Sequence, residues 1–151
     1  MPFVSGSYQS PKLRLRAVGR RERGVFATRV IRKGEILTIS GGVVLPYRKV
    51  RALPRGLQRL CFHIEHGFYL VPPRGRKVAI GFYMNHSCAP NAGDLNGASA
   101  LTTVALRPIR RGEEVTCDYR TVAVPDDRRY RPLLRFRCRC GARHCGRVIR
   151  A

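Results

Sequence analysis

Short hydrophobic runs, several of them alternating with polar positions, dominate the first part of the chain. Residues 12–17 alternate with a period of two, which predicts a strand with one buried face. β-Branched runs at 25–31 and 36–39 predict two more strands, and Gly41-Gly42 separates the second of them from a run at 43–45. The pattern therefore predicts a β-rich domain of short strands.

Helical spacing occurs between residues 46 and 60. Val50, Leu53 and Leu57 recur there every three to four positions, and Pro54 splits the predicted helix because proline cannot donate the helical hydrogen bond. The remaining segments predict a strand or hairpin at 62–71, a short helix or buried strand at 78–84, a loop at 92–99, and strands at 100–106 and 114–119.

The chain contains one internal echo. Residues 29–36 read Arg-Val-Ile-Arg-Lys-Gly-Glu-Ile, and residues 107–115 read Arg-Pro-Ile-Arg-Arg-Gly-Glu-Glu-Val. Both copies predict a strand, a tight turn and a second strand, since glycine supplies the positive φ that such turns need. Two copies so far apart do not make a solenoid, and they fit a single β-rich domain.

Length and composition limit the class of protein. A chain of 151 residues with 44% hydrophobic residues is one domain with a sizeable core. No apolar run approaches the roughly 18 residues of a membrane span, and the first nine residues lack the apolar core of a signal peptide. We therefore expect a protein that is not secreted and lies in the cytoplasm, nucleus or nucleoid. In that reducing setting, six cysteines indicate metal or chemistry before disulfides.

The net charge is +21, from 30 Lys and Arg against nine Asp and Glu. Such a field attracts polyanions, chiefly nucleic acid, and repels free basic peptides. The alternative is a coding bias that spreads arginine over a solvated surface. The few carboxylates argue against calcium or magnesium cages, which need them.

Three cysteines lie within eight residues near the C-terminus: Cys138, Cys140 and Cys145. Tetrahedral thiolate coordination of zinc would stabilise a segment that has too little apolar material to fold alone. His144 directly precedes Cys145, which is poor geometry for joint ligation of one ion. The other candidates for a fourth ligand are Cys61, Cys88 and Cys117. The alternative is a set of free thiols.

The most specific string is residues 85–91, Asn-His-Ser-Cys-Ala-Pro-Asn. Taken alone, His86 is either a satisfied core histidine or half of a nucleophilic dyad with Cys88. A cysteine-protease site would also need a base and an orienting group, and the other three histidines are not obviously placed to supply them.

Four motifs together resemble the SET domain, the fold of protein-lysine methyltransferases. Residues 85–91 are similar to the family's Asn-His-Ser-Cys-x-Pro-Asn string, and residues 112–119 to its Gly-Glu-Glu-Leu-Thr-(Phe/Tyr)-Asp-Tyr string. Residues 138–145 resemble the post-SET zinc element, and residues 23–27 resemble the opening motif that touches the cofactor. The four occur in the family's order and cover roughly residues 13–149.

The resemblance implies a mainly β, β-clip-like fold in which the Asn-His segment and the Glu-to-Tyr strand thread together as a pseudoknot. It implies S-adenosylmethionine as methyl donor, bound by Arg23, Gly24, Val25, Asn85 and His86. It implies Tyr119 as the catalytic residue. The candidates for the walls of the lysine channel are Phe62, Tyr69, Phe82, Tyr83 and Cys117. The implied ligands of a structural zinc ion are Cys88, Cys138, Cys140 and Cys145.

The implied organisation is an N-terminal arm at 1–12, a SET catalytic domain at 13–120, a basic linker at 121–137 and a post-SET zinc tail at 138–151. The implied function is methylation of a lysine in a nucleic-acid-associated or ribosomal protein, with a monomer as the default state. The alternative is a catalytically silent SET-like module that binds nucleic acid through its arginine-rich surface.

The chain departs from the family pattern in three places. Glu22 stands where the opening motif usually has its first glycine, and residues 38–41 lack the Glu-Tyr pair that often precedes a glycine. These departures favour the silent module, whereas Tyr119 and the intact Asn-His pair favour the enzyme. Cys117 occupies a position where the family has Phe or Tyr, and this smaller side chain predicts products beyond monomethyl-lysine.

Overall fold

The computed structural model describes residues 3–4, 8–20, 22–94, 101–122 and 134–150. Its first eight strands are β1 (Phe3–Val4), β2 (Tyr8–Gln9), β3 (Leu13–Val18), β4 (Glu22–Ala27), β5 (Ile36–Ile39), β6 (Gly42–Pro46), β7 (Phe62–Glu65) and β8 (Phe68–Val71). The others are β9 (Asn85–His86), β10 (Ala92–Gly93), β11 (Thr102–Ala105), β12 (Glu114–Cys117), β13 (Arg135–Arg137) and β14 (Val148–Arg150). The helices are α1 (Tyr47–Arg51), α2 (Arg55–Gln58), α3 (Tyr119–Val122) and a 3-10 turn at Ile80–Tyr83.

Most of these strands form three four-stranded sheets. Their orders are β1-β6-β8-β7, β10-β11-β5-β2 and β3-β4-β12-β9, and β13 pairs with β14 as a separate hairpin. The predicted mainly β architecture is therefore confirmed. Parts of the predicted arm (1–2, 5–7), loop (95–99) and linker (123–133) lie outside the described residues, as do Ala100 and Ala151. No helix in the described part of the chain is long and apolar enough to cross a membrane.

Predictions that depend on neighbouring residues are confirmed in two places and wrong in one. Pro54 divides the helical segment into α1 and α2, and it occupies the N-cap position of the second helix. The predicted strand or hairpin at 62–71 is the hairpin of β7 and β8. The predicted loop at 92–99 is wrong at its start, because β10 pairs there with β11.

The predicted strand at 114–119 is also wrong at its end. β12 stops at Cys117, and Tyr119 begins α3. Asp118 explains the change, because its carboxylate accepts the backbone N–H of Arg120 at 2.9 Å and its carbonyl accepts that of Thr121 at 3.0 Å. A side chain that satisfies the first amides of a turn favours a helical start over a continued strand.

The two copies of the internal echo contact each other directly. The backbone N–H of Ile31 donates to the carbonyl of Ile109 at 2.9 Å, and the reverse bond has the same length. Gly34 and Gly112 have φ values of 85° and 83°, as the sequence predicted for the two turns. The predicted strand at 25–31 ends at Ala27, and Ile31 forms only an isolated bridge.

The glutamates of the two turns repeat the same arrangement. Glu35 accepts the backbone N–H of Arg32 at 2.7 Å, and Glu113 accepts that of Arg110 at 2.9 Å. With the reciprocal isoleucine pair, these bonds relate the two turns by a local two-fold axis. Ile31 and Ile109 are both fully buried, so this axis passes through the main hydrophobic core.

Strand β12 is hydrogen-bonded on both sides. It runs antiparallel to β4 and parallel to β9, with Thr116 opposite Asn85 and Cys117 opposite His86. The side chain of Asn91 extends this pairing, since its Oδ1 accepts the N–H of Thr116 at 2.9 Å and its Nδ2 donates to a β12 carbonyl at 2.7 Å. The buried side-chain amide of Asn91 thus makes hydrogen bonds to the β12 backbone that further residues of β9 would otherwise have made.

We expect Asn91→Ala to lower the free energy of unfolding by about 2 to 3 kcal/mol, because it leaves a buried N–H and a buried carbonyl without partners. The measurement is urea unfolding followed by circular dichroism. Gln58→Ala is the control: its amide bonds two backbone carbonyls near the surface, so about 1 kcal/mol or less is expected. Equal losses in the two variants would contradict the role given to Asn91.

Candidate functional site

The parallel pairing of β9 with β12 brings His86 against Tyr119. The backbone N–H of Tyr119 donates to His86 Nδ1 at 3.1 Å, and the two rings meet edge-on with centroids 5.4 Å apart. The Tyr119 hydroxyl donates to the carbonyl oxygen of Met84 at 2.8 Å. Hydrogen bonds therefore hold both the backbone and the hydroxyl of Tyr119. Met84, which accepts the hydroxyl, directly precedes the Asn-His pair.

Phe136 from the tail completes this aromatic group. Its ring centroid lies 5.6 Å from that of His86 and 5.9 Å from that of Tyr119, both in edge-on geometry. Sequence reasoning missed this residue. Its signal is the alternation of Arg135, Phe136 and Arg137 directly before the first tail cysteine, which places one apolar side chain on the inner face of β13.

Two groups at this site, Tyr119 and His86, are neutral. Burial raises the pKa of the Tyr119 hydroxyl well above its ordinary value, so the phenol stays protonated and donates. Burial likewise lowers the pKa of His86, which leaves Nδ1 as an acceptor. The charge next to them is Asp118, whose carboxylate lies 3.6 Å from that nitrogen. Burial opposes ionisation of Asp118, but hydrogen bonds from Arg120 lower its pKa.

Asn85 is held by two acceptors on the neighbouring strands. Its Nδ2 donates to Glu114 Oε1 at 2.8 Å and to the carbonyl of Arg23 at 3.1 Å. A Cβ atom on Gly24 would overlap the Glu114 carboxylate and lie 3.1 Å from Asn85 Nδ2, so this position needs glycine. Sequence reasoning also missed Glu114, for which the signal was the second glutamate of the Gly-Glu-Glu string.

The other predicted donor-binding residues flank this contact. The guanidinium of Arg23 lies 6.0 Å from the ring centroid of Tyr83. Val25 is fully buried in the core, and it pairs with Leu15 on one side of β4 and with Val115 on the other. The predicted donor-binding residues therefore converge on the junction of β4, β9 and β12.

The predicted channel residues divide between two hydrophobic clusters. Tyr83 and Cys117 pack in the main cluster with Tyr119. Tyr69 is fully buried in a second cluster with Val50, Cys61 and Val71. Their role as channel walls stays a prediction.

The remaining pair, Phe62 and Phe82, stacks with ring centroids 4.8 Å apart and planes within 3° of parallel. Phe62 lies on β7, and β7 contacts α3, the helix that begins at Tyr119. This aromatic pair therefore lies near the element that carries the catalytic candidate.

The four predicted zinc ligands come together. The Sγ atoms of Cys88, Cys138, Cys140 and Cys145 all lie within 4.8 Å of one another. Cys88 Sγ is 3.9 Å from Cys138 Sγ and 4.0 Å from Cys145 Sγ. Tetrahedral zinc with Zn–S bonds of about 2.3 Å requires sulfur atoms about 3.8 Å apart, so the donor set fits this ion.

Backbone amides point at these sulfur atoms. Gly146 N–H lies 3.4 Å from Cys88 Sγ, and Arg147 N–H lies 3.4 Å from Cys145 Sγ. Hydrogen bonds of this kind orient the ligands of a metal site. Cys88 Sγ is also 3.3 Å from His86 Nε2, so the cluster lies directly beside the donor-binding candidates.

Cys61 and Cys117 lie outside the cluster. Burial raises the pKa of each thiol to about 12, so both stay protonated near neutral pH. Cys61 donates to the carbonyl of Leu57 at 3.2 Å in the second hydrophobic cluster. Their environments are therefore those of structural cysteines.

Comparison with known proteins identifies the fold. The family model described as "SET domain" matches residues 22–120. The chain belongs to the SET domain family. The predicted resemblance is thereby confirmed, and so is the predicted SET fold with a C-terminal cysteine cluster.

The SET proteins that are similar to this chain include much longer proteins. One is "Histone-lysine N-methyltransferase, H3 lysine-4 specific" of Cryptococcus neoformans, 30% identical over 132 residues that cover 81% of this chain and 8% of that protein. Another is human "Histone-lysine N-methyltransferase 2B", 30% identical over 136 residues that cover 84% of this chain and 5% of that protein. The chain therefore spans less than a tenth of these two relatives.

A solved structure shows the same SET architecture. The methyltransferase domain of human histone-lysine N-methyltransferase SETMAR superimposes with a TM-score of 0.60 and 24% sequence identity. The match covers 86% of this chain and 54% of that one. At this identity the likeness establishes the fold of the SET domain.

We expect purified protein to contain about one zinc ion per chain, and Cys88→Ser to lose it because tetrahedral sites need all four ligands. Cys61→Ser is the matched control and should keep the metal, since its thiol lies in a different cluster. Metal content by mass spectrometry and the midpoint of thermal unfolding are the two measurements. Full zinc content in the Cys88 variant would contradict the assigned ligand set.

Proposed function

We propose that the chain is a protein-lysine N-methyltransferase that uses S-adenosylmethionine. The observation that carries the proposal is the fixed Tyr119 hydroxyl, 2.8 Å from the Met84 carbonyl and next to the Asn85-His86 pair. The relatives named above are called histone-lysine N-methyltransferases, which supports the same reaction class. The donor supplies, when bound, a methyl group activated on a sulfonium.

The substrate amine must be neutral to attack. A lysine with a pKa of about 10.4 is neutral in only about one molecule in a thousand at neutral pH, a deficit of roughly 4 kcal/mol. In this proposal the predicted channel walls lower that barrier by excluding water, because desolvation disfavours ammonium. Tyr119 and His86 are themselves neutral, and the carboxylates beside the site, Asp118 and Glu114, accept hydrogen bonds from Arg120 and Asn85.

Alignment supplies much of the remaining acceleration. Tyr119 cannot rotate away, since His86 holds its backbone N–H and Met84 holds its hydroxyl. In this proposal Asn85, with its amide oriented by Glu114, and the backbone at Gly24 hold the donor. The zinc tail has a structural role: Cys88 ties it to β9, and Phe136 covers the two rings of the site.

The proposed substrate is a basic protein that is itself bound to nucleic acid. A net charge of +21 repels an isolated basic tail, whereas a polyanion that carries the tail cancels the repulsion. The proposed location is the nucleus, nucleoid or cytoplasm, and the default oligomeric state is a monomer. The proposed division is an arm at 1–12, the catalytic domain at 13–120, a linker at 121–137 and the zinc tail at 138–151.

The decisive experiment incubates the protein and labelled S-adenosylmethionine with a lysate of the source cells and with histones on and off DNA. We expect Tyr119→Phe to reduce transfer about 100-fold or more, because loss of one positioned active-site hydrogen bond has effects of that size. Tyr47→Phe is the control, since it removes a hydroxyl that contacts Arg51 on α1. Its rate should stay at the wild-type level.

The silent module is the second candidate, favoured by Glu22 in place of a glycine and by the absent Glu-Tyr pair. Calorimetry with S-adenosylmethionine separates the two. Donor binding by wild type and Tyr119→Phe, with transfer only by wild type, supports the enzyme. No detectable donor binding, or equal transfer by both proteins, overturns the proposal.

We expect wild-type protein to form di- or trimethyl-lysine, because Cys117 is smaller than the Phe or Tyr usual in the family. Cys117→Phe should shift the product toward monomethyl-lysine. Mass spectrometry of the modified substrate measures the distribution. Monomethyl-lysine as the single wild-type product would show that other side chains fill the space.

A further inference from the structure

Six exposed cations lie on the two paired turns, residues 29–35 and 107–113. We call them the paired-turn surface: Arg29, Arg32, Lys33, Arg107, Arg110 and Arg111. Backbone pairing fixes how they are arranged. Gly34 N–H donates to the carbonyl of Ala105 at 2.8 Å, and Gly112 N–H donates to that of Ala27 at 2.7 Å. Lys33 therefore lies beside Arg107, and Arg111 lies beside Arg29.

The side chains next to the buried isoleucines face outward. Because side chains alternate across an extended chain, Val30, Arg32, Pro108 and Arg110 point away from the core that holds Ile31 and Ile109. Val30 is 60% exposed, and Pro108 is exposed as well. Val30 and Pro108 thus form a small exposed apolar patch, and the backbone positions of the six cations lie on either side of it. The guanidinium of Arg107 reaches the second turn, where it bonds Glu113.

The nearby carboxylates neutralise one of the six cations. Glu113 bonds Arg107 at 2.6 Å, and this contact lowers its pKa to about 2. Glu35 pairs with Lys12, which lies outside the surface. Among the residues that the structure describes, Arg107 is the one member of the six with an ion pair. Arg107, Arg110 and Arg111 also line one open cavity of about 580 Å³.

We propose that the paired-turn surface binds the phosphate backbone of double-stranded nucleic acid. Arginine suits this role, since its guanidinium can donate two hydrogen bonds to one phosphate. The strands of a duplex are antiparallel and related by local two-fold axes, which match the backbone symmetry of the two turns.

The composition of the surface favours a duplex over a single strand. Single-stranded nucleic acid is held mainly by aromatic side chains that stack on its bases. Neither residues 29–35 nor residues 107–113 contain an aromatic residue. Arginine and lysine aimed at phosphates bind without regard to base sequence, so the proposed contact is sequence-independent.

The surface lies at the opposite end of β12 from the candidate active site. Glu113 precedes this strand and Asp118 follows it, which separates them by roughly 17 Å of extended chain. A bound duplex would therefore leave the Tyr119 end of β12 open. The proposal goes beyond methyl transfer, and binding at this surface does not require that activity.

The test compares two variants that each lose three arginines and one lysine. The first is R32Q/K33Q/R110Q/R111Q, and the control, changed at other exposed positions, is R48Q/K49Q/R55Q/R74Q. Fluorescence anisotropy measures binding to a short mixed-sequence DNA duplex over a series of salt concentrations. We expect the first variant to bind at least about tenfold more weakly, with a salt slope reduced by about 3 to 4, since each phosphate contact contributes about 0.9.

The control should retain most of the slope. Equal losses in the two variants would show diffuse attraction and overturn the proposal. Equal or tighter binding of the single strand, or of polyglutamate with the same charge, would also overturn it. Tyr119→Phe should bind the duplex normally, and the paired-turn variant should methylate histones off DNA at no less than the wild-type rate. Loss of duplex binding and loss of catalysis are thereby measured separately, and unfolding midpoints show that both variants fold.

Discussion

The two-sided pairing of β12 is the constraint on which the candidate site depends. Its parallel register places Cys117 beside His86, so the chain leaves β12 and β9 at the same edge of the sheet. Tyr119 follows one strand and Cys88 follows the other. A slip of one residue would exchange the faces of Asn85 and His86, and both the phenol contact and the sulfur contact would be lost. One short ladder therefore positions the catalytic, donor-binding and metal-binding candidates together.

The protein combines a strongly cationic exterior with two neutral groups at the candidate site, Tyr119 and His86. The carboxylates beside them are Asp118, 3.6 Å from His86 Nδ1, and Glu114, which orients Asn85. In the proposed function a cationic exterior repels a basic substrate, so recruitment and catalysis would rely on different surfaces.

Local signals predicted much of the fold. The alternation of hydrophobic and polar residues predicted β3, and Pro54 predicted the break between α1 and α2. The glycines of the internal echo predicted two turns with positive φ. The spacing of the tail cysteines, joined to the Asn-His-Ser-Cys string by resemblance, named the four thiols that the structure brings together. Each of these features depends on residues that are close in sequence or on a motif that carries its own chemistry.

The features that sequence did not reveal depend on distant contacts. The pairing of the two turns brings Ile31 opposite Ile109, and the side chain of Asn85 donates a hydrogen bond to Glu114. Phe136 acquires its role only after the tail lies over His86 and Tyr119. Nothing in the local sequence of these residues specifies such partners, since a side chain's propensity reports the backbone around it and not the strand that will lie beside it.

The threaded position of Cys88 also has a consequence for the order in which the molecule assembles. Three ligands come from the last part of the chain, but the fourth becomes available in its final place only when β9 has paired with β12. That pairing joins segments about 30 residues apart, and the β4 ladder joins segments about 90 apart, so both form late by loop-closure entropy. We therefore expect complete coordination of a zinc ion to be a late event in folding, because the tail alone offers three of the four ligands.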